Sequence, residues 1–317
     1  MDLLLDERQD ELATQARDLV AEAPVSDLWA RWTANGWFDG GGESSLTDHA
    51  LRFRELGREL VPGPYLATVL AARMVEAADD IETRDDIQAG RAVVALAEPA
   101  GAVSSGRYVS GRLRVFDGGS ATHVLIVTPT GAALVETNSL PPGDAVQCLD
   151  PQVRIAKVDA HEVRATLWSA GPERFRDAAV LVAALASGIA EATRDASTSF
   201  AKTREQFGRP IGVFQAVKHR CADQAIRAEA AWCQTGYAAL CIDAGRADSE
   251  FQARAAKVVA GDAAIRNAGA NIQNHGAVGC TVENNAHLHI KRAWVLEQIC
   301  GTSREHLAAL LDGPPPE

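Results

Sequence analysis

Apolar residues recur at helical spacing through the first part of the chain. Leu12, Ala16, Leu19 and Val20 form a stripe on one predicted helix, and Leu51, Phe53, Leu56 and Leu60 on a later one. Gly36 and the run Gly40-Gly41-Gly42 break this period, Pro62-Gly63-Pro64 reads as a turn, and Leu66 to Ala78 as a further helix. The texture then changes. Short apolar runs at Ala92 to Leu96, Leu113 to Phe116, Val124 to Val127 and Ala132 to Val135 are rich in β-branched residues and parted by Gly, Pro, Ser and Asp. Runs of that length predict strands, and a small antiparallel barrel or sandwich fits them. From Pro172 the helical period returns. Phe175, Ala179, Val182, Ala183 and Ser187 share a face, and small residues crowd 178–201 and 225–270 as in closely packed bundle helices. Gly208-Arg209-Pro210 should join two long helices, and the tail Gly313 to Glu317 should fray. The expected fold is mainly α with a small β domain: a helical domain over 1–90, a central β domain over 91–168 and a helical bundle over 169–317. No internal repeat is found.

Composition narrows the function classes. With 317 residues and 47% hydrophobic residues a substantial core is available and disorder is not expected. A net charge of −11 argues against a nucleic-acid partner, although a local basic patch could still hold a phosphate. No apolar run is long enough to span a bilayer, and the acidic start at Met1 to Glu7 lacks the basic region of a signal peptide. The cysteines at 148, 221, 233, 241, 280 and 300 form no Cys-x-x-Cys pair, so reduced thiols in the cytoplasm are expected rather than disulfides or zinc. His287-x-His289 does not share a helix face and is not read as a metal pair. There is no Rossmann glycine loop, P-loop, nucleophile elbow or His-Glu-x-x-His.

One segment carries chemistry: Arg204-Glu205-Gln206-Phe207-Gly208-Arg209-Pro210-Ile211-Gly212-Val213-Phe214-Gln215-Ala216-Val217-Lys218-His219. A guanidinium at a helix end, flanked by amides, suits a diphosphate. Taken singly, Arg204 could simply cap a helix and Gln215 could be a surface residue. The whole run resembles the Arg-x-Gln-Phe-Gly-x-Pro-Ile…Phe-Gln…Lys segment of acyl-CoA dehydrogenases. Gln273-Asn274-His275-Gly276-Ala277-Val278-Gly279 is similar to that family's Gln-x-x-Gly-Gly-x-Gly, and Gly301-Thr302-Ser303 to its Glu-Gly-Thr-Ser, all in family order. The resemblance implies FAD as cofactor, with Arg204, Gln206, Phe207 and Gln215 around its ADP half. It implies Gln273 and Gly276 reaching the ADP from a neighbouring subunit, and Thr302 in the same cofactor set. A glycine lets backbone approach a phosphate; Ala277 stands where the family's second glycine would be.

The same resemblance exposes losses. Ala97-Glu98-Pro99-Ala100-Gly101 is similar to the family's Thr-Glu-Pro-x-Ala-Gly loop beside the flavin ring, but the threonine is Ala97. Val115-Phe116-Asp117-Gly118 stands where the family has Trp-x-Thr-Asn-Gly. Removing a weakly acidic α proton needs a buried carboxylate within reach. The family's usual glutamate directly precedes Gly-Thr; here that residue is Cys300. A thiolate would need a nearby cation, whereas a small buried side chain needs nothing. In members with the glutamate on the first long C-terminal helix, the spacing lands on Ala178, beside Asp177. One residue turns a helical side chain by about 100°, so Asp177 is a weak candidate base, and Glu173 and Glu297 read as helix charges. Together these features resemble the shortened subunit of α2β2 heterotetrameric acyl-CoA dehydrogenases of steroid breakdown. That implies a second acyl-CoA dehydrogenase-like subunit that supplies the base, and an acyl-CoA substrate. The alternatives are a self-sufficient homotetramer with a non-standard base and a non-catalytic scaffold.

Overall fold

The computed structural model describes residues 6–42 and 44–313. The expectations for the extreme amino end and for Pro314 to Glu317 lie outside the described residues. The chain divides into two compact units. One comprises Met1–Ala21, Ala50–Val61 and Val180–Glu317; the other comprises Glu22–His49 and Pro62–Ala179.

Five helices come first: α1 (Glu7–Glu22), α2 (Val25–Ala34), α3 (Leu46–Arg58), α4 (Tyr65–Ala77) and α5 (Ile81–Gln88). The α1 stripe buries Leu12, Ala13, Ala16 and Val20. On α3, Leu51, Phe53 and Leu56 are buried as the pattern predicts. Leu60 is not part of that helix: it lies beyond the end of α3 on left-handed backbone with φ 53°. Pro64 occupies the amino-terminal cap of α4, where its fixed φ costs no intrahelical bond. Asp80 caps α5 by accepting from the Thr83 N–H at 3.3 Å.

The β segment follows as β1 (Val94–Ser104), β2 (Tyr108–Phe116), β3 (His123–Thr128), β4 (Gly131–Glu136), β5 (Asp144–Val146), β6 (Ile155–Arg164) and β7 (Leu167–Ala170). The predicted strands exist, but the expected all-antiparallel pairing is corrected: the seven strands form one mixed sheet ordered β5-β6-β2-β1-β3-β4-β7. The reason is topological. After β2 reverses along one edge of β1, the chain returns and lays β3 on the other edge, parallel to β1. Alternate residues such as Ala95 and Ala97, Leu113 and Val115, and Val124 and Ile126 enter a common apolar core.

The remaining helices are α6 (Glu173–Thr203), α7 (Gln215–Asp243), α8 (Ser249–His275), α9 (Ala286–Gln298) and α10 (Ser303–Asp312). Between α6 and α7 lie two short strands, β8 (Glu205–Gln206) and β9 (Arg209–Pro210). The sequence pattern gave α6 a single apolar face. From Asp177 to Glu191 every residue except Leu185 is buried, so this stretch of the helix is enclosed on all sides. Glycine makes its crossing with α3 possible: a Cβ on Gly57 would strike the Leu185 carbonyl, and one on Gly188 the Arg54 carbonyl. Arg54 grips Glu191 through two N–H donors at 2.8 and 2.6 Å beside that crossing. Among the described residues no helix is long and apolar enough to cross a membrane.

Candidate functional site

Chain direction assembles the site. Helices α6, α7 and α8 follow one another with short connections, so the carboxyl end of α6, the amino end of α7 and the carboxyl end of α8 meet at one end of the bundle. Contacts confirm this. Phe200 on α6 stacks on His275 of α8 with ring centroids 4.1 Å apart, and Arg220 on α7 donates to the Asn274 side-chain carbonyl at 2.6 Å. Arg204, Gln206, Phe207 and Gln215 therefore lie at the same end of this chain as Gln273 and Gly276.

The connection between α6 and α7 is a tight hairpin. Glu205 pairs with Pro210 and Gln206 with Arg209, which leaves Phe207 and Gly208 as the two turn residues. Both have positive φ, 55° and 73°, as a two-residue hairpin turn of this hand requires. Glycine adopts that conformation freely; phenylalanine is strained in it. The Phe207 ring is 90% exposed and meets Phe214 edge-on at 6.0 Å. The Arg209 guanidinium lies over the Phe214 ring at 4.8 Å.

The side chains of Arg204, Gln206, Gln215 and Gln273 are exposed, and among the described residues none of them makes a hydrogen bond or ion pair. Helix α7 begins at Phe214 without a side-chain cap and has no acidic residue in its first turn; Lys218, His219 and Arg220 follow. Unsatisfied N–H groups and a positive helix end favour an anion. A donor-rich, carboxylate-poor surface on a chain of net charge −11 fits a dinucleotide diphosphate. Gly276 adds φ 63° with open space where a Cβ would be.

Thr302 lies elsewhere. Lys257 near the middle of α8 donates to the carbonyls of Leu296 and Glu297, whereas Gly269 lies beside Ile290. Helices α8 and α9 are thus antiparallel, and Thr302 is separated from Gly276 by the length of α9, roughly 20 Å at 1.5 Å per residue. Its hydroxyl caps α10, accepting from the Glu305 N–H at 3.3 Å and donating to the Glu305 carboxylate at 2.9 Å.

Cys300, two residues earlier, is buried to 1% exposure on left-handed backbone with φ 56°. Its carbonyl accepts from His306 Nε2 at 2.7 Å, and burial lowers the His306 pKa to about 4. The other candidate base, Asp177, is 1% exposed. Arg73 lies 3.1 Å from its carboxylate, Arg174 3.2 Å and Arg176 3.8 Å. Arg73 Nε donates to Oδ2, while Oδ1 is buried without a hydrogen-bond partner among the described residues. In the β unit Ala97 pairs directly across from Val115, and both belong to the buried apolar core. Neither position presents a hydroxyl. Sequence reasoning missed the Phe200–His275 stack, the Arg220–Asn274 bond and the arginines around Asp177. Apart from Arg174 and Arg176, which are local to Asp177, their members are up to 104 residues apart, and no local motif links them.

Comparison with known proteins identifies the family. Residues 168–312 match the model of the acyl-CoA dehydrogenase C-terminal domain. The acyl-CoA dehydrogenase IpdE2 of Mycobacterium tuberculosis is 33% identical over 273 residues, covering 86% of this chain and 79% of that protein. The chain belongs to the acyl-CoA dehydrogenase family. Acyl-CoA dehydrogenase FadE34 of the same organism is 33% identical over 264 residues, which are 80% of this chain but only 36% of FadE34. Among solved structures, the ChsE4-ChsE5 complex of Mycobacterium tuberculosis has a TM-score of 0.85 at 20% identity, covering 99% of this chain and 100% of that one. A variant of the Tcur3481-Tcur3483 steroid ACAD has a TM-score of 0.82 at 22% identity, covering 96% and 97%. These two establish the acyl-CoA dehydrogenase fold, mainly helical around a central mixed sheet.

Proposed function

We propose that this acyl-CoA dehydrogenase chain is one subunit of an unlike α2β2 assembly. It grips the ADP half of FAD, and a second acyl-CoA dehydrogenase-like subunit supplies the proton acceptor. The observation that carries this reading is Cys300: the residue directly before Gly301-Thr302 is a buried cysteine whose carbonyl is tied to His306. Ala97 supports it, because alanine stands where the family's loop beside the flavin ring has a threonine. ChsE4-ChsE5 is a complex of two different proteins, and FadE34 is long enough to contain more than one such subunit.

FAD held by this chain would supply the hydride acceptor for the β carbon of an acyl-CoA thioester. The Arg204 guanidinium holds the diphosphate, and the uncapped amino end of α7 adds backbone donors. Gln206, Phe207 and Gln215 embrace the adenosine end. Gln273 and Gly276 reach the ADP bound by a neighbouring subunit, and Thr302 belongs to the same cofactor set while it caps α10. The substrate is a steroid-derived acyl-CoA, the class suggested by the Tcur3481-Tcur3483 neighbour. Six free cysteines suit a reducing cytoplasm.

The test is to produce the chain alone and together with its partner, and to measure bound flavin and acyl-CoA dehydrogenation. Alone it should be inactive; together the assembly should be yellow and active. Arg204→Ala should lower the flavin content of that assembly. A yellow chain that dehydrogenates acyl-CoA without a partner overturns the reading.

A further inference from the structure

The β unit contains a cavity that the dinucleotide site does not use. About 430 Å³ in volume, it opens beside β2 and β6 under the segment that joins β4 to β5. Val115, Val124, Leu140, Ile155 and Val158 give it apolar walls, and Pro141-Pro142 closes one side. Glycine brings the covering segment close: a Cβ on Gly143 would lie 2.8 Å from the Val158 side chain. The volume falls within the roughly 300–1,000 Å³ of small-molecule sites, which are apolar with a few placed polar groups.

Two polar groups here have no other use. Thr137 Oγ1 is buried and has no hydrogen-bond partner among the described residues. A buried hydroxyl left so costs about 1–3 kcal/mol, which a ligand oxygen would recover. Arg154 lines the same cavity, and its guanidinium makes no ion pair among the described residues. Its backbone is fixed from both sides by Asp117, whose N–H donates to the Arg154 carbonyl at 2.9 Å and whose carboxylate accepts the Arg154 N–H at 3.1 Å. The backbone of this exposed residue is thereby fixed at the cavity, and its guanidinium lies beside Gly119.

We infer that this cavity is a second ligand site, which takes a compact apolar molecule bearing an oxyanion. Its body lies against the valine, isoleucine and proline walls, and its anionic head meets Arg154 and Thr137. This does not depend on the residues proposed to grip the ADP half of FAD, none of which lines the cavity.

The test uses the assembly as purified and two fluorescent dyes, 1-anilinonaphthalene-8-sulfonate and its neutral counterpart N-phenyl-1-naphthylamine. The sulfonate dye should saturate one site per chain. Ala156→Trp, which fills the cavity from β6, should weaken both dyes about tenfold or more. Arg154→Ala should weaken the sulfonate about tenfold and leave the neutral dye unchanged; Thr137→Val should act in the same direction. Flavin content, measured alongside, should be the same in every variant. Equal binding to wild type and Ala156→Trp, or loss of both dyes alike in Arg154→Ala, overturns the inference.

Discussion

The imidazole of His275 stacks on the ring of Phe200, centroids 4.1 Å apart and planes 25° from parallel. This contact joins the last turn of α6, four residues before Arg204, to the last turn of α8, one residue before Gly276. His275 is fixed further by Nδ1, 2.9 Å from the Asn271 carbonyl. Ring pairs contribute about 0.5–1.5 kcal/mol beyond their buried area. Replacing His275 with Ala should therefore lower the melting temperature modestly. If the stack aligns the dinucleotide surface, flavin per assembly should fall more than that loss of stability explains, and His275→Phe should restore it. Flavin-to-protein ratios and melting curves measured together decide this; a stability loss with undiminished flavin confines the stack to packing.

Phe207 poses the opposite relation between stability and function. A non-glycine residue on left-handed backbone costs roughly 1–2 kcal/mol, and this ring, at 90% exposure, gains little burial in return. Phe207→Gly should leave the chain equally stable or more stable by about 1 kcal/mol. The same change should weaken flavin binding in the assembly, because strain is retained where a ligand or partner uses it. Chemical denaturation and flavin titration of one variant give both signs. A glycine variant that keeps full flavin affinity would remove Phe207 from the site.

What the sequence revealed follows the range of each signal. The break between α6 and α7 was legible because Gly208, Arg209 and Pro210 are contiguous, though its β8–β9 pairing was not, and the cysteine before Gly301 was legible too. The α1 stripe was legible because one face of that helix meets the core. The α6 pattern was misleading, since a helix buried on all sides shows many small apolar residues and no unique face. The parallel pairing of β1 with β3 was invisible, because the alternation in each strand is the same whichever edge it joins. The arginines on Asp177 come from two helices of which only one is local in sequence.

His306 gives a pH signature. Its ring is buried, burial is the largest cause of its lowered pKa, and the folded value of about 4 lies below the ordinary 6.5. The folded state therefore holds the imidazole neutral where the unfolded chain would protonate it. Stability from this group is fully present above the unfolded pKa and is lost as pH falls from about 6.5 towards 4, a difference of order 3 kcal/mol. Melting temperatures between pH 7.5 and pH 5 (values chosen to bracket about 6.5) should fall in the wild type. They should fall less in His306→Gln, whose amide can still donate to the Cys300 carbonyl. Identical pH slopes would show that another group dominates acid sensitivity here.

Asp177 separates the unlike pair from a self-sufficient enzyme. Its carboxylate is buried and ringed by Arg73, Arg174 and Arg176. Removing one member of a buried ion pair typically costs about 3–5 kcal/mol, so Asp177→Asn should lower the melting temperature sharply. A general base contributes about 10²–10⁴ in rate, and its loss also removes the corresponding limb of the pH–rate profile. Assayed below its melting temperature with the partner present, Asp177→Asn should keep that limb and most of its kcat. Cys300→Ala should keep kcat within about twofold, far less than the 10²-fold minimum for loss of a base. A collapse of kcat and of the acidic limb in a folded Asp177→Asn assembly would make this chain its own proton acceptor.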